Sequence, residues 1–507
     1  MNNITILTVL FLSISLTHAQ NSSDAYRFSN SRVNGTARSL GTGSSFGAIG
    51  ADQSAIGINP AGLGLYRKSD FSFSLYSLTK TGKYQLEADP NLNKNTSSDF
   101  NINNIGVVLS GKPNRYSKWE NYNLFIGYNN TANYKQELSF SGKSKGSILH
   151  RFIENSIDPN FTDGRGFSAN QLDEFETKLA YETGAIYDVS TDSNKIFYTN
   201  DLLAYRDAQI PKSGTNVSKG YQGDISIAFG ANYDEKIILG VNLDFPIGHY
   251  EINKLYSEAA GSNNFDPFNA LEFTDELKSE ISGFKGSLGV LYKPVNAFRI
   301  GLAWHSPGIL SFTDTYKTGL TYSYYENKAL KEYHSDSPDG LFEYKLITAS
   351  KWIGSLAYVS KFGLINVDLD YFRPDRSRFS FSESADKEYQ DFLNSDIKKQ
   401  FQSVIETRIG IEVPVSKFRL RGGLEFLPSV YVNETVTNKT YSIGLGYRGN
   451  KYYIDLAARM NKLGDAYQPF ATGNSDFNGD RIPDAVASLV HSDLNILQIQ
   501  CTFGIRF

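Results

Sequence analysis

From Asn495 to Phe507 apolar and polar side chains alternate. Leu497, Ile499, Cys501, Phe503, Ile505 and Phe507 share one face of a strand, and Gln498, Gln500, Thr502, Gly504 and Arg506 share the other. A soluble sandwich strand alternates too. An apolar outer face, a polar inner face and a terminal aromatic together are what a lipid-embedded barrel strand requires. The same period of two recurs upstream. Phe418, Leu420, Leu424 and Phe426 oppose Arg419, Arg421, Gly423 and Glu425, and Tyr441, Ile443, Leu445 and Tyr447 oppose Ser442, Gly444, Gly446 and Arg448. Tyr452, Ile454, Leu456, Ala458 and Met460 oppose Asp455, Ala457 and Arg459. Earlier, Phe298, Ile300, Leu302 and Trp304 oppose Arg299, Gly301 and His305, and Ile237, Leu239, Val241, Leu243 and Phe245 oppose Gly240, Asn242 and Asp244.

Connections between these segments alternate in length. Tight turns are read at Asp234-Glu235-Lys236, Lys293 to Asn296, Lys361-Phe362-Gly363, Val415-Ser416-Lys417 and Gly449-Asn450-Lys451. Between them lie long polar stretches at 257–275, 327–340, 383–399 and 464–487. Such parity belongs to an up-and-down barrel with short periplasmic turns and long external loops, and not to a Greek-key sandwich. The pattern predicts an all-β, transmembrane, antiparallel barrel of about fourteen strands beginning near Asp70, an even number as single-chain bacterial barrels have. Both chain ends are then periplasmic, and the location is a bacterial outer membrane.

Composition agrees. The 507 residues carry 32 Tyr and 34 Phe against 2 Met, an aromatic excess that suits interfacial girdles. Residues 1–19 read as a cleaved secretory signal: an apolar run from Ile4 to Leu16, then Thr17-His18-Ala19, although no Lys or Arg precedes the run. Beyond it no stretch approaches the ~18 apolar residues of a membrane helix. A net charge of −4 gives no footprint for nucleic acid. Cys501, the single cysteine, sits in the terminal strand's apolar face and reads as a small hydrophobe.

The inward face carries both signs of charge. Arg299, Asp368, Asp370, Arg419, Arg421, Glu425, Asp455, Arg459 and Arg506 point into a lumen of middling width, where pairing or a plug must satisfy them. Two readings apply, a structural network holding the lumen shut and contact with a substrate, and the first is favoured.

Residues 20–66 precede the first strand and hold a Gly-rich run from Ala37 to Asp52, then Ile58-Asn59-Pro60-Ala61-Gly62-Leu63. Glycines let a backbone turn sharply and pack closely, as a plug threaded into a narrow lumen must. The interspersed Leu40, Phe46, Ile49, Ile56, Ile58 and Leu63 argue against a solvated linker. Here the chain resembles the FadL/TodX outer-membrane transport family, whose hatch is Gly-rich, then carries a small-residue run with an Asp, then Asn-Pro-Ala. The matching residues are Arg38, Gly41, Gly43, Gly47, Gly50, Asp52, Asn59, Pro60 and Ala61. Outside the hatch the resemblance rests on architecture.

The resemblance implies a barrel, residues 67–507, plugged by this hatch and admitting long-chain fatty acids or other hydrophobic compounds without energy input. Cargo is caught at outer loops, passed to an apolar lumen pocket and released sideways into the outer-membrane lipid at an inward kink of the third strand. In this chain that strand is Tyr122 to Phe140, interrupted by Gly127, Asn129 and Asn130, weak strand formers that mark either a kink or a plain bulge. The loop at about 141–219 is long for the family. Its Ser168-Ala169-Asn170-Gln171 has capping-box character, and Leu172, Phe175 and Leu179 follow at helical spacing, predicting a small external helix whose apolar stripe either packs on the barrel mouth, the favoured reading, or forms part of a capture site.

In the last external loop Asp476, Asn478, Asp480 and Asp484 space hard oxygen ligands around a Gly turn, as a Ca²⁺ site does, with Arg481 where such loops usually carry Gly. An ordinary polar turn is the competing reading. No Cys/His cluster suggests zinc, and no Gly-x-Ser-x-Gly elbow suggests hydrolysis. The expectation is therefore a non-catalytic transporter with no cofactor beyond that Ca²⁺. Its partners are a long-chain fatty acid or other hydrophobic small molecule, the surrounding lipid and, through Phe507, the barrel assembly machinery. Two further readings stand beside it: a FadL-like docking barrel for secreted proteins, of the PorV type, and an outer-membrane hydrolase.

Overall fold

The computed structural model describes residues 22–507 apart from 31–34, 88, 114–115, 162, 193–194, 206, 264, 384–385 and 471–487. The signal at 1–19 and the loop of Asp476, Asn478, Asp480 and Asp484 lie outside the described residues. One antiparallel sheet of 19 hydrogen-bonded segments forms the wall. Four wall strands are each built from two segments and one segment is a hairpin extension above the wall, which leaves fourteen strands.

In chain order these are β1 (Asp70–Leu86), β2 (Leu92–Gly111), β3 (Trp119–Asn133 and Gln136–Ser144), β4 (Ile210–Tyr233), β5 (Ile237–Ala259), β6 (Phe268–Val295) and β7 (Phe298–His305 and Ile309–Glu326). The second half is β8 (Gly340–Ile347 and Lys351–Ser360), β9 (Gly363–Phe372 and Arg378–Phe381), β10 (Val404–Val415), β11 (Phe418–Pro428), β12 (Thr437–Arg448), β13 (Tyr452–Tyr467) and β14 (Val490–Arg506). The barrel closes because β1 pairs with β14 along its whole length, from Asp70↔Arg506 to Leu86↔Val490.

The predicted faces are the observed ones. Ile237, Leu239, Val241, Leu243 and Phe245 are exposed on the outside, while Asn242 and Asp244 are buried within. Cross-strand aromatics mark both edges of the lipid band: Phe298–Tyr358 at 5.1 Å and Trp119–Tyr233 at 5.2 Å on the periplasmic side, Trp304–Trp352 at 6.3 Å on the other. An exposed apolar belt around a closed sheet has no stable place in water, so the chain spans an outer membrane.

Several stretches expected as polar loops are strand. β5 runs to Ala259 and β6 starts at Phe268, so 260–267 alone connects them, and Ala329–Asp336 continues the sheet above β7. These ladders rise beyond the bilayer, where outward residues are polar and the apolar alternation that betrays a membrane strand is lost. The stretch at 383–399 is largely a helix, α5 (Lys387–Gln400), with Leu393 and Ile397 buried one turn apart. Its i, i+4 spacing was readable from Tyr389 onward, but charged neighbours masked it.

The plug begins with α1 (Ser22–Ser29) and α2 (Ala37–Gly41) and ends in two short 3₁₀ turns, Gln53–Gly57 and Pro60–Leu65. In the long external loop lie α3 (Ile148–Ser156) and α4 (Thr177–Glu182). Ser168 does hydrogen-bond Gln171 (2.6 Å), but the helix expected there starts only at Thr177, with Leu172 and Leu179 buried. The stronger helix is α3, whose N-terminus is capped by Ser147 and closed by the buried Glu258 carboxylate, which accepts from the Ile148 amide at 2.9 Å.

Candidate functional site

The hatch residues act as staples. Asp52 caps the first 3₁₀ turn, accepting from the Ser54 amide (3.0 Å) and the Thr36 hydroxyl (2.8 Å). Asn59 caps the second, accepting from the Ala61 amide (3.1 Å) while its Nδ2 donates to Gly47 O (2.8 Å); Pro60 fills the first helical position, where a missing N–H costs nothing. Gly43 and Gly50 have φ of +62° and +66°. Gly41 lies on Gly444 of β12, and a Cβ on Gly423 of β11 would stand 2.0 Å from Gly43 N. The plug thus docks by backbone against inward glycines of the wall. That Gly423 and Gly444 face inward was visible in the alternation; that they are docking points was not, because their partner is remote in sequence.

Of the predicted lumen charges, Asp368 and Arg299 bind the plug directly and Arg421 and Asp455 join it through Glu412. Arg38 makes a double hydrogen bond to Glu412 (3.0 and 3.2 Å), which also pairs with Arg421 (2.7 Å); Arg421 reaches Asp455 (2.8 Å), itself gripped by Arg448 (2.8 Å). Asp368 accepts from the Phe46 and Gly47 amides (2.8 and 3.1 Å), and Asp370 pairs with Arg408 (2.6 Å). Arg299 donates to Ile49 O at 2.6 Å. Glu425 and Arg459 face each other at 3.7 Å, as do Arg506 and Asp70. Arg419 stands apart, donating to the Ser416 and Phe418 carbonyls at the turn before β11. Sequence reasoning missed Arg408, Glu412 and Arg448 as members, although each lies on an inward register position.

The wall is interrupted at the third strand. The β2–β3 ladder runs from Gly111↔Tyr122 to Asn104↔Asn129 and goes no further among the described residues. At its last rung the Asn104 amide donates to Asn129 Oδ1 (2.6 Å), and below it Gly106 faces Gly127, with the Phe125 ring filling the space their missing side chains leave. The register of β3 against β4 slips between Asn130 and Ala132. The strand then turns inside the β1–β2 hairpin, where Asn133 Nδ2 meets the Tyr76 hydroxyl (2.9 Å) and the Tyr84 hydroxyl donates to Glu137 O (3.0 Å). Gly127, Asn129 and Asn130 therefore lie where β3 parts from β2. On the lipid side the end of the seam opens into an apolar recess of about 360 Å³, lined by Phe71, Ile105, Ile126, Tyr128 and Ile225 among others.

Behind this seam is an aromatic chamber that packed side chains fill. Phe28 of α1 is buried among Tyr134 (5.6 Å, edge-on), Tyr250 (5.6 Å) and Phe312 (4.9 Å), with Ile281, Leu310, Leu346, Phe379, Leu393 and Val404 completing the cluster. Tyr134 belongs to the two-residue break in β3. Arg27 lies over the Tyr250 ring and is paired with Asp24, and Lys351 lies 5.1 Å from the Phe372 ring. At the chamber's outer side burial raises the Tyr389 phenol above its usual range. A second apolar cluster caps the mouth above, joining Phe140, Phe152, Leu179, Phe268 and Tyr322. Among the described residues no group of three or more His, Cys, Asp or Glu is placed to hold a metal ion.

No family model matches the chain, and no curated protein matches it. Solved structures do. A Pseudomonas aeruginosa FadL homologue is 9% identical, with 94% of this chain and 100% of that chain covered and a TM-score of 0.52. The toluene transporter TodX of Pseudomonas putida is 11% identical, with 94% and 100% covered and a TM-score of 0.50. A mutant of the TodX monoaromatic hydrocarbon channel gives 12%, 93%, 98% and 0.52. At such identities the likeness is one of architecture: this chain has the fold of the FadL/TodX outer-membrane barrels, fourteen strands closed around an N-terminal plug.

Proposed function

We propose that the chain is a passive, non-catalytic channel that takes hydrophobic small molecules from outside the cell into the outer membrane. The observation that carries this reading is the position of Tyr134, which lines the aromatic chamber and lies in the gap of β3 that follows its parting from β2 at Asn129. A solute that displaces Phe28 meets Tyr134, and from there β3 runs back to the seam whose outer side faces lipid. Apolar surface leaving water gains roughly 25 cal/mol per Å² and keeps that gain in the bilayer, so no energy source is required. Long-chain fatty acids fit the chamber as cargo, because Arg27 and Lys351 are the cations a carboxylate would meet at its edge.

The test is uptake of a labelled long-chain fatty acid by cells lacking their own importer, with this chain and with its Gly127→Val variant. A Cβ at Gly127 would stand 2.4 Å from the Phe125 ring and 2.6 Å from Ile105 O, so the variant distorts the seam. Uptake restored by the native chain and reduced tenfold or more in the variant is the expected result. A folded, heat-modifiable barrel that restores no uptake of fatty acid or of uncharged hydrocarbon overturns the reading, and a search for docked secreted partners follows. The Asp476–Asp484 loop is proposed as a Ca²⁺ site: calorimetric titration should give a binding heat that Asp480→Ala abolishes, and no heat in the native chain removes it.

A further inference from the structure

On the reading that the chamber binds apolar cargo, the opposite wall carries a second opening. Above the outer aromatic girdle the outer segment of β9 pairs with β8, from Tyr344↔Phe381 to Ile347↔Arg378, while β10 begins only at Val404 and meets β9 from Phe372 downward. The free edge of that segment is covered by α5 instead. Asn394 imitates a strand there: its Oδ1 accepts from Phe379 N (2.8 Å) and its Nδ2 donates to Phe379 O (3.0 Å), and Gln390 Oε1 accepts from Phe381 N (2.8 Å). On the strand edge α5 is held by two amide side chains rather than by a backbone ladder, so its departure breaks no ladder of the barrel and costs these bonds, the burial of Leu393 and Ile397 and the Val432 N to Gln400 O bond at its end (2.9 Å). The outward residues at this level, Glu343 and Lys345, are exposed and charged, so α5 stands outside the bilayer.

Beneath α5 a line of rings leads inward. Phe392, 62% exposed, stacks on Tyr389 (6.4 Å, 18°), and Tyr389 stacks on Phe381 (6.0 Å, 24°). Phe381 meets Tyr344 edge-on (6.1 Å), Tyr344 lies parallel to Phe312 (4.9 Å, 1°), and Phe312 touches Phe28 of the plug (4.9 Å). The inner face of α5, Leu393 and Ile397, belongs to the same chamber, and α1 packs on α5. Phe392 brings the stack to the solvent, and parallel rings spaced this way receive another flat ring at little cost in geometry.

We propose that Phe392, Tyr389 and Phe381 form a capture site for an apolar solute with a flat ring face, and that α5 is the lid of a side entrance from this site into the aromatic chamber. Capture lies outside the membrane at the β9–β10 gap, and release lies across the lumen at the β2–β3 seam. Because α1 touches α5, lid movement and withdrawal of Phe28 are mechanically linked.

One cysteine pair tests this in a Cys501→Ser background, Phe379→Cys with Asn394→Cys, which keeps the three capture rings. It locks α5 to the strand edge when oxidised and frees it when reduced, so the reduced protein is the control for folding and for the loss of the Phe379 ring. Uptake of labelled naphthalene should fall at least tenfold on oxidation and return on reduction. Equal uptake by oxidised and reduced forms overturns the side entrance and leaves the transport reading intact. If the native chain carries no naphthalene, the transport reading is left to the fatty-acid assay and the lid is judged by Leu393→Cys, buried at rest. Reaction with an external maleimide on intact cells within minutes, faster with naphthalene present, upholds the lid, and no reaction over hours refutes it.

Discussion

Single atoms decide whether the plug is seated. With a Cβ on Gly423 only 2.0 Å from Gly43 N, Gly423→Leu leaves the β11 ladder possible but excludes the docked plug. The expected result is a barrel that still shifts on heating in a gel yet conducts ions in a planar bilayer; an unchanged conductance would remove this contact from the seal. Charge works the same way. Glu412 lies between Arg38 of the plug and Arg421 of the wall. Glu412→Ala leaves the half-buried Arg38 guanidinium without its carboxylate while Arg421 keeps Asp455, at about 3 kcal/mol. A lower midpoint for plug release, followed by protease access to Arg38 in the presence of denaturant, checks this, with Glu412→Gln milder because it keeps hydrogen bonds to both partners.

At the scale of elements the chain trades strand for helix where it needs something removable. α3 is fixed over the mouth by Ser147, which accepts from the Leu149 amide at 3.1 Å, and by Glu258 from β5. Ser147→Ala should cost about 1 kcal/mol in local stability and speed external proteolysis of the 145–209 loop while leaving barrel heat-modifiability unchanged. The external helices were only half legible in the sequence. Leu172 and Leu179 were correctly read as apolar contacts, but the helix starts later, at Thr177, because the residues before it are held as turns. α3 and α5 passed unnoticed: α3 is short, and in α5 charged neighbours mask the spacing of Tyr389, Leu393 and Ile397.

For the whole molecule the division is between a wall that assembles and a plug that closes it. Deleting Gln20 to Leu65 removes no wall strand and should spare barrel assembly but open an ion leak, measured as conductance or as sensitivity to a large antibiotic. Phe507 donates its amide to Ser69 O at 3.0 Å, next to the closing β1–β14 pair, and its ring is exposed. Phe507→Ala should therefore lower the amount of assembled barrel in the outer membrane without altering the stability of what does assemble.

The sequence by itself determined the barrel: strand faces, the parity of turns, an even strand number and the outer-membrane setting all follow from a period of two read against lipid on one side and a polar lumen on the other. Each of those signals is local, because every strand's outer face meets the same solvent whatever its neighbours are. It also picked out the plug's glycines with Asp52 and Asn59, through a family resemblance, and the weak stretch at Gly127, Asn129 and Asn130, while the capping by Asp52 and Asn59 came from the structure. Only the tertiary structure decided what fills the lumen. Phe28 meets Tyr134, Tyr250 and Phe312, and Arg38 meets Glu412, across separations of hundreds of residues in some cases. An inward side chain carries no mark of whether it will face plug, loop, water or cargo. Closure of the sheet sets those partners, and with them the chamber, its seam and its lid.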